Sequence, residues 1–440
     1  MDLTITIPRI INSLQQRLFG GESGNVFRGM MVLTTGSGIA RLIGIAAIPI
    51  LTRIYSPEDF GVLAVFNAMV MILTPIVTLR YCPTLPLPRR KETAVNLLVL
   101  SAGLMLVFSA LIAVLLWAFG DTVLPLLSME VLAPWWWLIV IGIVAAASHE
   151  LLSFWATRAR AYRLIARAEV WQSMVGSIAK VTLGLVSMQP TGLLIGQIVA
   201  KGGGLGVLLS SFARTLGAEL HHVRMSRIRV AAWRYRDFPL YRVPSQALMI
   251  LATQSPVLFI AYRYDATTTG QFSLAMMALT LPVVLLGGST AKAFYAEASN
   301  VGPRRPQAIR LILHDVLVRL ALLAICPAIV LMFFGQLLFE LVFGINWVLA
   351  GNFSQSLAIF LFFQFLQAPV AHVFYIFDGQ RALLMLNLQR VILILALFGI
   401  AYWFDWEAAF LVWVYALGLA AHYALSTIYA LRYIPRGTTE

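Results

Sequence analysis

Charged residues are scarce in this chain. Only 12% of its 440 residues are Asp, Glu, Lys or Arg, which is about half the usual share of a soluble domain. Hydrophobic residues make up 60% of the sequence. A water-soluble fold could not bury so much apolar surface, so the composition excludes an ordinary soluble protein and indicates a membrane protein.

The sequence also has only two cysteines and lacks the common motifs of enzymes. Cys82 and Cys326 show no metal-ligand or disulfide spacing, and we expect each to be a small packed residue. There is no G-x-x-x-x-G-K-[ST] motif, and the His149-Glu150 pair lacks the second histidine of an H-E-x-x-H motif. We therefore expect a protein that is not an enzyme and that holds no cofactor and no metal.

Long apolar segments fill most of the chain. A segment of about 20 apolar residues spans the hydrocarbon core of a bilayer. Twelve segments meet this requirement, at residues 27–50, 60–80, 94–118, 132–155, 168–188, 191–212, 244–263, 270–291, 310–334, 353–376, 382–403 and 408–431. The sequence therefore predicts an all-α polytopic membrane protein with about twelve transmembrane helices.

An arginine-rich stretch at residues 214–243 divides these segments into six and six. We predict five regions: a cytoplasmic N-terminal segment (1–26), an N-terminal lobe of six helices (27–213), a basic cytoplasmic linker (214–243), a C-terminal lobe of six helices (244–431) and a cytoplasmic tail (432–440). The second half opens with an echo of the first, in which Asp265, Gly270 and Pro282 follow the order of Asp59, Gly61 and Pro75. Two six-helix lobes of the same orientation imply a parallel repeat about a pseudo-twofold axis along the membrane normal.

Basic residues fall almost entirely in the loops on one side of the predicted membrane. Of 32 Lys and Arg residues, 25 lie in these loops, and only Arg53 and Arg263 lie in the opposite ones. An excess of Lys and Arg in short loops marks the cytoplasmic side. We therefore predict that both termini are cytoplasmic, and the net charge of +13 needs no nucleic-acid partner.

Five basic residues remain inside the apolar segments: Arg41, Lys180, Lys201, Arg319 and Arg390. A charge at the centre of a transmembrane helix costs about 2.5 to 3.5 kcal/mol on insertion scales, so each should face water, a partner or a substrate. The first half of the chain has no acidic residue deep in a segment that could pair with Arg41, Lys180 or Lys201. This pattern predicts an anionic guest, and we take Arg41, Lys180, Lys201 and Arg319 as candidate substrate-binding residues.

Each of these residues also has a structural interpretation. Arg41 shares one helix face with Thr34 and Ser37, which suits a water-filled cavity, but a buried arginine could instead bond to helix-end carbonyl groups. Lys180 and Lys201 could extend their ammonium groups to a membrane interface. Both alternatives stay open at the level of the sequence.

The polar residues of the second half have similar alternatives. Arg319 follows Asp315 by four residues, so the two side chains could form an ion pair on one helix. Arg390 could extend to the inner interface, and His372 and His422 are expected to be hydrogen-bonded structural groups. The choice between a site residue and an ion pair stays open for Arg319.

Three segments of the sequence resemble the polysaccharide flippases, the Wzx-like branch of the multidrug/oligosaccharidyl-lipid/polysaccharide exporter superfamily. They are PILTRIYSPEDFG at 49–61, Arg80-Tyr81 followed by Leu87-Pro88, and 238–296, which begins FPLYRVPSQALMILATQSPVLFIAYRY and continues through GQFSLAMMALTLP. The family carries an acidic residue after the Arg-Tyr pair, where this chain has Cys82-Pro83. The resemblance implies a two-lobed transporter.

The resemblance further implies a flippase that moves undecaprenyl-diphosphate-linked oligosaccharide units across the bacterial inner membrane by alternating access. Its partners would be this lipid-linked oligosaccharide, membrane lipids, and a polysaccharide polymerase and chain-length regulator. The alternatives are a cation-coupled drug exporter of the same superfamily and a non-catalytic component of a polysaccharide assembly complex. A membrane polymerase or ligase is disfavoured because the chain has no long outer loop. A drug exporter would need a carboxylate inside the membrane, and the first half has no acidic residue deep in an apolar segment.

Overall fold

A computed structural model describes residues 21–435 except 128, 130–132, 134 and 378, with side chains described from residue 32 onward except 214–216. Most of the predicted segment 1–26 and half of the predicted tail 432–440 lie outside these residues. The described part of the chain is helical and contains no β-strand. The predicted all-α class is therefore confirmed.

The helices of the first half are long and are joined by short connections. They are α1 (Gly21–Ile54), α2 (Pro57–Val77), α3 (Lys91–Val123), α4 (Trp137–Arg158), α5 (Tyr162–Leu185), α6 (Thr191–Glu219) and the short α7 (Met225–Arg234). The helices of the second half are α8 (Val243–Arg263), α9 (Ala266–Pro282), α10 (Gly288–Val301), α11 (Pro306–Phe343), α12 (Val348–Ile376), α13 (Gln380–Trp403) and α14 (Ala408–Tyr433). A π-helical turn, Val283–Gly287, joins α9 to α10.

Eleven helical segments in the described part of the chain are long and apolar enough to cross a membrane. They include every long helix except α5, with α9 and α10 forming one continuous segment. Helix α5 has 24 residues, which is sufficient length, but it carries Glu169, Gln172 and Lys180 and is less apolar than the others. The chain is thus a multi-pass membrane protein, and each of the twelve predicted segments overlaps a helix.

The contacts divide the chain into two compact units. One unit contains the chain up to Leu51 together with Met69–Leu124 and Glu130–Ile250, and the other contains Thr52–Ala68, Pro125–Met129 and Leu251–Glu440. We call them the first and the second unit. The second unit includes the beginning of α2 and starts again at Leu251. The lobes predicted from the sequence, at 27–213 and 244–431, stay predictions.

The beginning of α2 crosses the beginning of α9 within the second unit. A Cβ atom added to Gly61 would lie 1.8 Å from the carbonyl oxygen of Ala266, and one added to Gly270 would lie 1.7 Å from that of Pro57. Only glycine permits such an approach of two backbones. The two glycines noted as a sequence echo therefore occupy reciprocal positions in one helix crossing.

Each of these two helix starts has its own cap. The backbone N–H of Ser56 donates to the Asp59 carboxylate at 2.8 Å, and the N–H of Asp59 donates to the Ser56 hydroxyl at 3.2 Å. At α9, the Asp265 carboxylate accepts a hydrogen bond from the N–H of Thr268 at 2.5 Å. Both contacts satisfy N–H groups that the first helical turn leaves free.

Candidate functional site

Three helices of the first unit approach each other through small residues. A Cβ atom on Gly36 of α1 would lie 2.4 Å from the Cβ of Ala166 on α5, and one on Gly176 of α5 would lie 2.4 Å from the Cβ of Ala200 on α6. Small residues at helix crossings allow backbones to come close in a membrane protein. The polar side chains next to these crossings are therefore brought within contact distance of each other.

A carboxylate lies inside this helix group. The hydroxyl of Ser37 on α1 donates a hydrogen bond to the carboxylate of Glu169 on α5, and Glu169 interacts electrostatically with Lys201 on α6. The expectation that Lys201 has no acidic residue with which it could pair is therefore wrong. Glu169 lies near the start of α5, where the sequence could not show that two other helices cover it.

The side chain of Lys180 is turned toward α6. Its Nζ donates to the amide oxygen of Gln197 at 2.6 Å. A Cβ atom on Gly196 would lie 2.4 Å from Cγ of Lys180 and 3.0 Å from its backbone nitrogen, so the two helices touch at this lysine. Lys180 therefore bonds to a neutral amide within the helix group, which contradicts the alternative of extension to the interface.

Lys201 connects the members of the group. It interacts electrostatically with Lys180 and His149 as well as with Glu169. We call the set Ser37, His149, Glu169, Gln172, Lys180, Gln197 and Lys201 the polar cluster. The structure thus brings together two of the four predicted site residues, Lys180 and Lys201.

The polar cluster has unsatisfied groups beside a glycine of α6. A Cβ atom on Gly204 would lie 3.0 Å from the ring of His149 and 3.1 Å from Oε1 of Gln172. Nε2 of His149 and Oε1 of Gln172 are buried and have no hydrogen-bond partner among the described residues. Buried polar atoms usually have partners, so these two are candidates for contacts with a ligand or water. Sequence reasoning assigned His149 no such role.

Arg41 lies beside the polar cluster on an exposed face of α1. The neighbouring face of α1 is held against α5, because the Ser173 hydroxyl donates to the carbonyl oxygen of Ala40 at 2.6 Å. Arg41 is one helical turn beyond Ser37, so the two share a face. Its side chain is exposed, and within the described residues it makes no ion pair or carbonyl contact.

The remaining intramembrane arginines lie in the second unit. Arg319 forms an ion pair with Asp315 at 2.9 Å, and the two side chains are 76% and 58% exposed. The ion-pair alternative is therefore confirmed, and a substrate role for Arg319 stays a prediction. Nη1 of Arg390 reaches the hydroxyl of Tyr423 on α14 at 3.3 Å, which is a contact inside the unit.

The Arg-Tyr pair after α2 is anchored to other helices of the first unit. Arg80 forms an ion pair with Glu150 of α4 at 2.8 Å, and the Tyr81 hydroxyl donates to the carbonyl oxygen of Ala232 on α7 at 3.1 Å. Cys82 is buried, as expected, and burial raises the pKa of its thiol to about 12. Cys326, in contrast, is exposed, so its predicted packing is wrong.

Comparison with known proteins identifies the family of this chain. Residues 50–351 match the model of a family described as polysaccharide biosynthesis protein. The chain belongs to this polysaccharide biosynthesis protein family. The matched residues include Lys180, Lys201 and Arg319, whereas Arg41 precedes them. No curated protein sequence matches the chain significantly.

Solved structures of two membrane proteins share its fold. The lipid II flippase MurJ in an inward closed conformation superposes with a TM-score of 0.69 at 11% identity, over 91% of this chain and 87% of the flippase. An inward-facing multidrug resistance MATE family transporter of the MOP superfamily superposes with a TM-score of 0.64 at 13% identity, over 91% of this chain and 94% of the transporter. The predicted resemblance is therefore confirmed for the polysaccharide family and for the fold, which the chain shares with this flippase and this transporter.

Proposed function

We propose that this protein is a flippase that moves undecaprenyl-diphosphate-linked oligosaccharide repeat units across the bacterial inner membrane by alternating access. The observation that carries the proposal is the positive charge of the first unit. Arg41, Lys180 and Lys201 stand with one carboxylate, Glu169, on three adjoining helices. The family described as polysaccharide biosynthesis protein supports this class of cargo.

The electrostatics of the lysines favour an anionic guest. Lys180 and Lys201 interact with each other, and like charges in a region of low dielectric constant destabilise one another. Glu169 offsets one of them. A bound diphosphate would offset the remaining charge, and its oxygens accept hydrogen bonds from both ammonium and guanidinium groups. Binding of the head group would therefore reduce the repulsion between Lys180 and Lys201.

The exposed position of Arg41 supports a role in first contact with the head group. An exposed arginine beside the polar cluster can meet a charged ligand without the loss of an existing ion pair. Arg319 lies in the other unit and already pairs with Asp315, so its binding role is a separate expectation. The cytoplasmic location of both termini is part of the proposal and is supported by the distribution of Lys and Arg.

A cation-coupled exporter is the second candidate, and Glu169 is the observation that favours it. The sequence predicts no carboxylate deep within the first half, which disfavours an exporter. Glu169 stands there, hydrogen-bonded to Ser37 and in electrostatic interaction with Lys201, and such a carboxylate could bind and release a proton. The two candidates differ in their cargo, so the test is the cargo that is moved.

Deletion of the gene from its host tests the proposal. We expect loss of a surface polysaccharide and accumulation of lipid-linked repeat units that face the cytoplasm. Wild-type protein should restore export, and Lys201→Glu at equal protein level should not, because a carboxylate repels the diphosphate. Normal polysaccharide in a deletion strain that encodes no other flippase contradicts the proposal, and drug sensitivity with normal polysaccharide favours the exporter.

A further inference from the structure

A cleft of about 690 Å³ opens between α13 and α14 in the second unit. This volume is typical of sites that bind small molecules. Its lining combines two arginines with long apolar side chains: Arg381, Arg432, Met385, Leu386, Leu425 and Ile428. A site with cations at one end and hydrocarbon along its length matches an amphiphile with an anionic head.

The two arginines lie together at one end of the cleft. Arg381 is in the first turn of α13, and Arg432 is in the last turn of α14. The two helix ends touch, because a Cβ atom on Gly379 would lie 2.8 Å from the ring of Tyr433. This end belongs to the side of the protein that is rich in Lys and Arg.

Neither arginine has a carboxylate partner in the described part of the chain. Both are exposed, and the described lining of the cleft contains no Asp or Glu. The end of the cleft therefore attracts an anion and repels the cationic part of a zwitterionic head group.

The apolar part of the cleft has the depth of one membrane leaflet. The lining residues on α13 run from Arg381 to Gln389, and those on α14 run from Arg432 back to His422. These distances correspond to about 12 to 15 Å along a helix, and half of the hydrocarbon core is about 15 Å. Met385, Leu425 and Ile428 are exposed in this stretch, so a hydrocarbon chain could cover them.

Two other cavities of the described chain lack this combination. In a cavity of about 510 Å³ in the first unit, Lys91 lies 3.9 Å from Glu219, and Arg158 donates to the carbonyl oxygen of Leu85 at 3.2 Å. Two of its three cations, Lys91 and Arg158, are therefore already engaged. A cavity of about 440 Å³ beside Pro282 and Pro327 has an apolar lining without charged residues.

We propose that the cleft between α13 and α14 binds one anionic phospholipid from the leaflet on the Lys- and Arg-rich side of the membrane. Arg381 and Arg432 hold its phosphate, and Met385, Leu425 and Ile428 contact an acyl chain. The site is independent of the proposed cargo and of the polar cluster. It would make the conformation of the last two helices sensitive to the lipid composition of the membrane.

Native mass spectrometry of the purified full-length protein tests this site. The protein is titrated with phosphatidylglycerol, with phosphatidylcholine of the same chains, and with glycerol phosphate, which has the charge but no chain. We expect one phosphatidylglycerol molecule to bind at least about tenfold more tightly than phosphatidylcholine, because both lipids offer a phosphate but phosphatidylcholine adds a cation that the two arginines repel. Equal affinity for the two lipids, or equally tight binding of glycerol phosphate, overturns the proposal.

Two sets of variants locate the site. Arg381→Gln with Arg432→Gln should abolish the preference for phosphatidylglycerol, whereas Arg304→Gln with Arg305→Gln removes the same charge from an exposed loop of the same unit and should keep it. Leu425→Trp fills the cleft, keeps both arginines and should weaken binding of both lipids. An equal loss in the loop control, or no loss with Leu425→Trp, contradicts the assignment even where the double-arginine variant fails to fold.

Discussion

The last two long helices of each half are built differently. Helices α5 and α6 touch through Gly176, Ala200 and Gly196, and polar side chains meet beside the crossing. Helices α13 and α14 meet through larger residues, since a Cβ atom on Gly418 would lie 3.1 Å from the flexible end of Leu397. A cleft with an arginine-rich end remains between them.

This difference shows that the size of the residues between two helices decides whether a charged side chain contacts the facing helix or stays exposed. Where the backbones are close, an ammonium group reaches an amide on the facing helix, as Lys180 reaches Gln197 at 2.6 Å. Where long apolar side chains hold the helices apart, the arginines at the helix ends stay exposed and open to a ligand. Helices α5 and α6 can therefore bury charged side chains between them, and α13 and α14 can bind a lipid at the protein surface.

The largest expected effect comes from closing the space between α5 and α6. Gly176→Leu places a side chain where Ala200 already lies, and overpacking costs about 1 to 3 kcal/mol or more. We expect a large loss of folded protein from the membrane and a lower thermal unfolding midpoint in detergent.

Gly399→Leu on α13 is the matched control, because nothing lies within 4 Å of the position where its Cβ atom would be. This variant should accumulate like the wild type. If the two leucine variants behave alike, the close crossing of α5 and α6 is not what distinguishes the two helix pairs.

The second effect concerns the charge of Arg41. Arg41→Lys should keep most of the polysaccharide export, Arg41→Ala should lose about tenfold, and Arg41→Glu should lose more, because a phosphate accepts either cation and is repelled by a carboxylate. The measurement is export normalised to the amount of protein in the membrane. Normal export by Arg41→Glu at equal protein level means that no anion is bound there.

The smallest effect compares one hydrogen bond in each helix pair. Gln197→Leu removes the acceptor of Lys180 and should lower the free energy of unfolding by about 1 kcal/mol. Tyr423→Phe removes the longer contact of Arg390, at 3.3 Å, and should cost less. Thermal unfolding in the same detergent measures both, and a larger cost for Tyr423→Phe would reverse the predicted ranking of the two contacts.

The helices themselves could be predicted from the sequence because hydropathy is a local property. All twelve predicted segments overlap helices, including α5, whose polar residues keep it below the apolarity of the other eleven. The candidate site was predicted only in part. Glu169 lies eleven residues before Lys180 on α5, which places both on the same face of the helix. This spacing could have indicated a carboxylate beside the lysine.

The sequence alone determined the membrane class, the helices, the similar order of Asp, Gly and Pro residues in the two halves, and the cations that need an explanation. These follow from composition and short-range spacing. Only the tertiary structure decided that Ser37 bonds to a carboxylate 132 residues away, that Lys180 faces Gln197, and that Arg381 and Arg432 share one cleft. The physical reason is that helix crossings bring together residues from distant parts of the chain, and side-chain volumes at those crossings set which charges meet.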